Sequence, residues 1–334
     1  MQKILKTLLR NISFIVFLIV LIFVFIFELP YTIESTGGLV NLNNRITVEQ
    51  PYEITGNYNM TYVTARKATI PTLLISFLNP SWDLYKKAET IESGTTSKEN
   101  DLRGKILLKE SSDNAIINAY KLAGLEVNVT KEKVYVIYID ENAKTDLKVG
   151  DEIISVDGIK IESVKQMSYL SSIYSDGDKV KIETISDGKT YERYAYVYTI
   201  NGKKVFGIYV SLNKELEYTP KVSFKFNTNE YGSSAGLMET LYIYDLITEK
   251  DLSHGLKIAG TGVIDEKGNV LEIAGVKYKL KGAVKNKADI FFVPSGENYE
   301  EAKKLKEEKN YNIEIYPVST FDEAVQYLYN YKKN

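Results

Sequence analysis

An uncharged apolar stretch near the N-terminus restricts the fold more than any other feature of the chain. Residues 11–27 hold no charged side chain and consist almost entirely of Ile, Val, Leu and Phe. A helix packed on a globular core carries a polar face, and this stretch has none. In a helix it would extend about 25 Å, at the short end of the range for crossing a bilayer. We therefore expect a transmembrane helix over residues 11–29.

The charges that flank this stretch predict its orientation. Basic residues precede it, namely Lys3, Lys6 and Arg10, and acidic residues follow it, namely Glu28 and Glu34. The positive-inside rule then predicts a cytoplasmic stub over residues 1–10 and a cell-membrane protein whose other domains are extracytoplasmic. A cleaved signal peptide is the alternative, but the apolar stretch is long and Glu28-Leu-Pro-Tyr31 offers no small-x-small cleavage site.

Two scarce residue types limit the chemistry. The 334 residues include no cysteine, and His254 is the single histidine. Disulfides, cysteine nucleophiles and cysteine-based zinc sites are excluded, and a helical zinc-protease motif lacks its second histidine. The 42 basic and 44 acidic side chains give a net charge of −2, which provides no general attraction to nucleic acid. If the chain is a hydrolase, its most available base is a lysine.

Residues 30–125 predict a β-rich connector that contains a helix. Short alternating runs, such as residues 62–65, are separated by glycine-containing breaks, and residues 111–123 repeat apolar side chains at helical spacing. No pattern in this segment indicates a chemistry.

A motif in the middle of the chain is typical of an α+β domain. Residues 134–139 form an apolar strand pattern, and Gly150-Asp-Glu-Ile-Ile-Ser-Val-Asp-Gly158 places a buried strand between two tight turns. A helical run over residues 164–174 and a strand from Val180 follow. This arrangement resembles the PDZ domain of bacterial envelope proteases, which we expect over residues 126–199.

The PDZ resemblance implies a peptide-binding strand. PDZ domains bind an extended peptide by adding it to an open sheet edge, and the resemblance places that edge at Val134, Tyr135 and Val136. In the family a loop that binds the peptide carboxylate precedes this strand, and the sequence there, Lys131-Glu-Lys133, has no glycine. A domain that only spaces its neighbours apart is the alternative.

A serine at a strand-to-helix turn is the first candidate catalytic residue. Residues 222–226 alternate as a half-buried strand, Gly232-Ser-Ser-Ala-Gly236 follows, and apolar residues then recur at helical spacing. Backbone N–H groups at a helix start can stabilise an oxyanion beside a serine hydroxyl. A serine at this position also serves as an ordinary helix cap.

A lysine at a second strand-to-helix turn completes a candidate dyad. Gly260-Thr-Gly262 precedes a short strand, and Gly275-Val-Lys-Tyr-Lys279 opens the next helix. Alone, such lysines indicate only a solvated helix face. Because no convincing Ser-His-Asp set is available, a serine at one junction and a lysine at another form the arrangement that a Ser-Lys dyad needs.

These motifs and Ile290-Phe-Phe-Val-Pro294 occur in the order and spacing of the Lon protease proteolytic domain. The chain resembles the membrane-anchored, PDZ-containing Lon-like proteases of Gram-positive-type bacteria, with an α/β proteolytic domain over residues 200–334. The resemblance implies that Ser234 is the nucleophile, that Lys277 is the general base, and that Thr261 helps to hold this lysine. The backbone N–H groups expected to bind the oxyanion belong to Gly232, Ser233 and Ala235.

Two positions depart from the family pattern. Ser233 replaces the proline of Gly-Pro-Ser-Ala-Gly and places a second hydroxyl beside the nucleophile. Tyr231 stands where ATP-dependent relatives carry an acidic residue.

The predicted function is that of an ATP-independent serine endopeptidase, anchored in the cell membrane, that cleaves exported peptides or unfolded proteins. No Gly-x4-Gly-Lys-Ser/Thr string occurs in the sequence, so we expect no nucleotide, and the dyad requires no cofactor or metal. Lon-type domains often form rings, which leaves a homo-oligomer open. The alternatives are a catalytically inactive, membrane-anchored PDZ scaffold and a Ser-Lys C-terminal processing protease, whose motifs fit less well.

Overall fold

The apolar N-terminal stretch forms a helix that is too short for a membrane span. The computed structural model describes residues 11–79, 81–86 and 96–332. Helix α1 covers Ile12–Ile26, or 15 residues, which extend about 22 Å against a hydrocarbon core of about 30 Å. Within the described ranges, no helix is both long and apolar enough to cross a membrane. The predicted transmembrane helix over residues 11–29 and the predicted membrane localisation are therefore wrong; the expected stub over residues 1–10 lies outside the described residues.

A mixed six-stranded sheet includes strands from both the N-terminal and the C-terminal parts of the chain. Its strands are Glu28–Asn41 (β1), Asn57–Thr69 (β3), Trp82–Lys86 (β4), Lys257–Gly260 (β14), Ile290–Pro294 (β17) and Glu314–Val318 (β18). Their order across the sheet is β18-β17-β14-β3-β1-β4. The strands from β18 to β3 run parallel, and β1 is antiparallel to both β3 and β4.

This sheet differs from the expected division into a connector and a C-terminal domain. Strand β3 pairs with β14 from Asn57↔Lys257 to Met60↔Gly260. Residues from the segment 30–125 therefore complete the same sheet as the C-terminal strands. Parallel pairing between segments so distant in the chain leaves no local sequence pattern, because each strand alone shows only its own alternation.

Helices cover both faces of this sheet. In the described residues, the helices after α1 span Ile70–Leu78 (α2), Ser97–Leu122 (α3), Val164–Ile173 (α4), Gly236–Ile247 (α5), Val276–Lys285 (α6), Glu297–Lys309 (α7) and Phe321–Asn330 (α8). Of these, α4 does not pack on this sheet, because its buried residues Met167 and Leu170 belong to a separate core. In β17, Ile290 and Phe292 join a core with α3, α5 and α8, whereas Phe291 and Val293 join a core with α6 and α7. The result is a three-layer α/β/α arrangement.

A second six-stranded sheet builds the domain expected to be a PDZ domain. Its strands are Val127–Ile139 (β5), Glu152–Val156 (β6), Ile159–Lys160 (β7), Lys179–Ser186 (β8), Lys189–Tyr196 (β9) and Ile208–Tyr218 (β12). Their order is β12-β5-β6-β8-β9, and β7 pairs with β6. The predicted hairpin turn at Asp157-Gly158 is confirmed, with φ values of 46° and 80°, as a turn that suits the strand twist requires.

The PDZ-like sheet is inserted within the three-layer domain. Its first strand, β5, follows α3, and its last strand, β12, leads back to that domain. The two strands pair antiparallel, and Val127 lies opposite Tyr218. The chain therefore leaves and returns at one point, and the inserted domain extends past the predicted boundary at residue 199.

The described residues also form three short strand pairs. They are Ile46–Val48 (β2) with Val222–Phe224 (β13), Tyr198–Ile200 (β10) with Lys203–Val205 (β11), and Val263–Ile264 (β15) with Val270–Leu271 (β16).

Candidate active site

Backbone hydrogen bonds fix the turn that carries Ser234. The N–H of Gly232 donates to the carbonyl oxygen of Gly104 on α3 at 3.0 Å, and the N–H of Gly262 donates to the carbonyl oxygen of Ser234 at 2.8 Å. Gly232 has a φ of 96°, a backbone conformation that favours glycine. The turn is thus held from both sides, and Ser234 is followed by Ala235, the N-cap of α5.

Small residues after the serine allow α3 to approach this turn. A Cβ on Gly236 would lie 2.8 Å from both Ser111 Oγ and Ile264 Cγ2, closer than packed carbon atoms tolerate. Ser111 Oγ in turn donates to the carbonyl oxygen of Ser233 at 3.2 Å. The Ser-Ala-Gly sequence therefore meets a packing requirement as well as a chemical one.

Lys279 reaches Ser234 from the first turns of α6. Its Nζ lies 2.8 Å from Ser234 Oγ and 2.9 Å from Thr261 Oγ1. Helix α6 starts after Gly275, which has a φ of 75° and where a Cβ would lie 2.9 Å from Val63 Cγ2. Glycine at this position lets the helix begin close to β3, and the Lys279 side chain, only 4% exposed, points inward.

Thr261 links the serine and the lysine. Its backbone N–H donates to the carbonyl oxygen of Phe292 at 3.0 Å, which fixes it beside the central sheet. Its Oγ1 donates to the carbonyl oxygen of Ser234 at 3.0 Å and accepts from Lys279 Nζ. Because Thr261 is fully buried, these two bonds leave its hydroxyl little freedom to turn.

Lys277, the lysine expected to be the base, lies elsewhere. Its Nζ is 2.9 Å from Asp83 Oδ2, and its side chain is 33% exposed. Helical residues two apart point about 160° away from each other, so Lys277 and Lys279 cannot both face Ser234. The geometry therefore corrects the expectation: Lys279 lies beside Ser234, and Lys277 lies on the opposite face of α6.

The sequence contains a pattern that indicates which of the two lysines is buried. Val276, Leu280 and Ala283 recur at helical spacing and pack into one core. Lys279 falls on that buried face, at i+3 from Val276 and i−4 from Ala283, whereas Lys277 does not. The apolar stripe of the helix thus identifies the buried lysine better than its order after the glycine.

Burial gives Lys279 the proton affinity that a base requires. It lowers the pKa of Lys279 to about 7, because a charged ammonium is poorly solvated inside the protein. Its two hydrogen-bond partners are neutral hydroxyls. For Lys277, burial also lowers the pKa, but the bond to Asp83 outweighs it and the pKa is raised. Lys279 can therefore be neutral near pH 7, and Lys277 stays charged.

The predicted oxyanion donors differ in availability. The N–H of Gly232 already donates to Gly104, so it is not free to bind an oxyanion. Ala235 is the N-cap of α5, where backbone N–H groups point out of the helix. Among the described residues, the N–H groups of Ser233 and Ala235 donate to no acceptor, and these two donors stay a prediction.

The predicted peptide-binding strand is not an edge. Val134, Tyr135 and Val136 lie in β5, which pairs with β12 on one side. On the other side it pairs with β6, and the N–H of Val136 donates to the carbonyl oxygen of Asp151. A peptide cannot add to a strand whose two sides are occupied, so the expected position is corrected.

One of the two edges of the PDZ-like sheet is β12, and the other is β9. In the described part of the chain β12 pairs only with β5, and the N–H of Lys214 turns away from β5 and donates to the Asp113 carboxylate at 2.8 Å. Alternate residues of a strand point the same way, so the N–H groups of Val210 and Leu212 also point outward. The chain folds back after the PDZ motif to supply this edge, which a local motif cannot reveal.

A cavity of about 500 Å³ opens onto Ser234 and Lys279. Its wall includes apolar side chains, namely Leu39, Val40, Met60, Val63, Leu108 and Phe226. Strand β14 ends at Gly260, opposite Met60, whereas β3 continues to Thr69. Residues 61–63 and 65 line the cavity, so a stretch of β3 without a partner strand on that side, among the described residues, borders Ser234 and Lys279.

Other residue types do not supply an alternative centre. In the described ranges, no group of three His, Asp or Glu side chains is placed to hold a metal ion. His254 Nε2 lies 2.8 Å from the carbonyl oxygen of Leu328 in α8, and its φ of 49° marks the end of a turn. It does not contact Ser234.

Comparison with known proteins identifies two domains in the chain. Residues 226–330 match the family model of the Lon protease (S16) C-terminal proteolytic domain, and residues 122–193 match the PDZ domain model. The chain is 27% identical over 191 residues to the Lon protease of Campylobacter jejuni, covering 54% of this chain and 22% of that protein. It is 34% identical over 98 residues to the Lon protease of Mesomycoplasma hyopneumoniae, covering 29% of this chain and 11% of that protein.

A solved structure is similar to part of the chain at a low TM-score. The PDZ domain of an SdrC-like protein from Listeria monocytogenes is 25% identical, covering 25% of this chain and 92% of that one, with a TM-score of 0.23. The chain spans less than a quarter of the length of the two curated relatives. The predicted PDZ and Lon-type proteolytic domains are confirmed by the family models.

Proposed function

We propose that the chain is a serine endopeptidase that uses Ser234 as nucleophile and Lys279 as general base. The observation that carries this proposal is the buried Lys279 amine, 2.8 Å from Ser234 Oγ. A serine hydroxyl is a weak nucleophile unless an adjacent base takes its proton. A neutral amine at hydrogen-bond distance meets that requirement, and the hydroxyl of Thr261 holds the amine in place.

The proposed reaction proceeds in two halves. Lys279 accepts the proton as Ser234 Oγ attacks the peptide carbonyl carbon, and backbone N–H groups at the start of α5 stabilise the oxyanion. Protonated Lys279 then donates the proton to the leaving amine, which departs as the acyl-enzyme forms. Water, deprotonated by Lys279, hydrolyses this ester and restores the serine.

We propose that the substrate is an extended polypeptide. The unpartnered stretch of β3 beside the dyad offers backbone groups that a peptide can pair with as an added strand. Pairing of this kind requires the substrate segment to be released from its own fold. Short peptides and unfolded proteins meet this condition, and the printed sequence contains no phosphate-binding loop, so we propose that cleavage needs no nucleotide.

We propose that the PDZ domain binds peptide at β12 rather than at β5. The outward N–H groups of Val210 and Leu212 are available for a peptide, whereas Asp113 already occupies that of Lys214 and ends the usable edge. Addition of casein-derived peptides should shift the backbone amide resonances of residues 208–212 in NMR spectra. Larger shifts at Val134 and Val136 would contradict this assignment.

Replacing each of the two adjacent serines in turn tests which one is the nucleophile. With fluorescently labelled, unfolded casein and no ATP, the wild-type chain should release peptides, and Ser234→Ala should lower the rate at least about a thousandfold. Ser233→Ala is the matched control, because it removes a neighbouring hydroxyl that does not contact Lys279 in the described structure. It should retain most of the activity.

Two results of that assay would overturn the proposal. A wild-type chain that cleaves nothing would favour the alternative of an inactive PDZ scaffold. Equal activity of Ser234→Ala and the wild type would remove Ser234 as the nucleophile. The buried amine beside the serine disfavours the scaffold, because a desolvated lysine opposes folding at neutral pH and would have no compensating use there.

A further inference from the structure

We propose that Asp83 is a positioning residue that fixes the first turn of α6, so that Lys279 faces Ser234. This inference rests on the dyad proposed above. Asp83 lies in β4, at the edge of the central sheet, and contacts the helix rather than the dyad.

One carboxylate oxygen of Asp83 binds two successive residues of α6. Asp83 Oδ2 accepts from the Tyr278 hydroxyl at 2.6 Å and lies 2.9 Å from Lys277 Nζ. Tyr85, from the same strand as Asp83, places its hydroxyl 3.2 Å from that of Tyr278. The strand therefore holds the helix through residues 277 and 278, immediately before Lys279.

The bond to Tyr278 is the stronger of the two contacts. Lys277 and Asp83 are 33% and 38% exposed, and ion pairs this exposed contribute little. Tyr278 is fully buried, and a hydroxyl that donates to a carboxylate makes a short, charge-assisted bond. Burial raises the pKa of Asp83, but the bonds from Tyr278 and Lys277 outweigh it and the pKa is lowered, so the carboxylate is charged at neutral pH.

The position of Tyr278 in the helix determines what this bond controls. Because Tyr278 and Lys279 are adjacent in one helical turn, a rotation or shift of that turn moves both. A displacement of about 1 Å between reacting groups can slow a reaction about a hundredfold. The same movement would expose the Lys279 amine to water and raise its pKa, since burial is the cause of its low pKa.

The charged groups near Lys279 do not offer another explanation for its proton affinity. On α6, Lys277 and Lys281 lie away from the buried face, and Asp83 counters their charge. From β1, Glu34 lines the same cavity, and from the loop before α5, Glu230 does so while bonded to Arg45 at 2.8 Å. None of them is a hydrogen-bond partner of Lys279 Nζ in the described structure.

Four substitutions test the proposal in the 334-residue chain with a fluorogenic peptide. Asp83→Ala and Tyr278→Phe should each lower kcat about ten- to hundredfold and move the acidic limb of the kcat/KM profile upward from about pH 7. The double variant should be no slower than the worse single variant, because Asp83→Ala and Tyr278→Phe remove the same bond, the one between Tyr278 and Asp83. Asp83→Asn keeps an acceptor for the Tyr278 hydroxyl and should recover much of kcat, and Lys277→Ala should stay within about threefold of the wild type.

The outcomes distinguish this proposal from the dyad itself. If Asp83→Ala and Tyr278→Phe lower the amount of folded enzyme but leave the pH limb and kcat per active site unchanged, Asp83 is merely structural and the inference is overturned. If they match the wild type while Lys279→Met is inactive, the dyad stands and positioning by Asp83 is overturned. If Lys279→Met is active, the proposed function fails, and the inference fails with it.

Discussion

Replacing Lys279 by methionine should abolish peptide cleavage, while replacing Lys277 by methionine should leave it near the wild-type rate. Methionine has a similar length to lysine and suits a buried site, so the substitution removes the amine without opening a large cavity. Without a base, the Ser234 hydroxyl keeps its proton in the attack. We expect a loss of at least about a thousandfold, comparable to removal of a catalytic residue in other serine hydrolases.

The fold should survive the Lys279→Met substitution. The pKa of Lys279 is lowered in the folded chain, so the unfolded chain binds more protons between about pH 7 and pH 10.5. The buried amine therefore lowers the free energy of unfolding, most strongly below about pH 7 and less as the pH rises towards about 10.5. Its removal should not destabilise the protein. Thermal unfolding of both lysine variants checks this. Activity retained in Lys279→Met, or lost in Lys277→Met with an intact fold, would reverse the assignment.

The rate of cleavage should fall steeply as the pH drops below about 7. The active form has a neutral Lys279, and the pKa of Lys279 is about 7. Protonation at lower pH removes the base, so kcat/KM should fall about tenfold for each pH unit below this value and reach a plateau above it. An exposed lysine, with its pKa near about 10.4, would instead give activity that still rises near pH 10.

Three controls isolate this pH dependence. Histidine side chains titrate in the same range, so His254→Gln should keep the acidic limb if Lys279 causes it. Burial raises the pKa of Glu239 in α5 to about 8, so Glu239→Gln tests whether that carboxyl affects kcat/KM on the alkaline side of the pH profile. Fluorescence of Trp82 at each pH reports unfolding. A limb that disappears in His254→Gln would show that the lysine is not the titrating group.

The position of Ser234 could be predicted from the sequence, but the motif did not determine which lysine lies beside it. Gly232-Ser-Ser-Ala-Gly236 combines glycines and a serine in a turn before a helix, and the structure places Ser234 at that junction. Two lysines follow Gly275, and the motif alone does not say which one is buried. The helical phase set by Val276 and Leu280 decides it, because packing determines which side of α6 faces the core.

Strand pairing between distant parts of the chain accounts for the other differences between the expected and the observed fold. The sequence showed only a short alternating run over residues 62–65 in this region. The parallel pairing of β3 with β14 depends on tertiary packing, and it makes the expected connector part of the central sheet. Likewise, β12 covers β5 after a long return of the chain, so the strand that the motif suggested as an edge became an interior strand. The apolar stretch was a helix as expected, but it ended at Ile26.

The most direct test of the Ser234–Lys279 dyad is to map and time the reaction of a fluorophosphonate probe by mass spectrometry across a pH series. A neutral Lys279 that activates Ser234 predicts one adduct, on Ser234, with a labelling rate that is half-maximal near pH 7 and is lost in Lys279→Met but kept in Lys277→Met. An adduct on Ser233, or equal labelling of Ser234 in the wild type and in Lys279→Met, would contradict it.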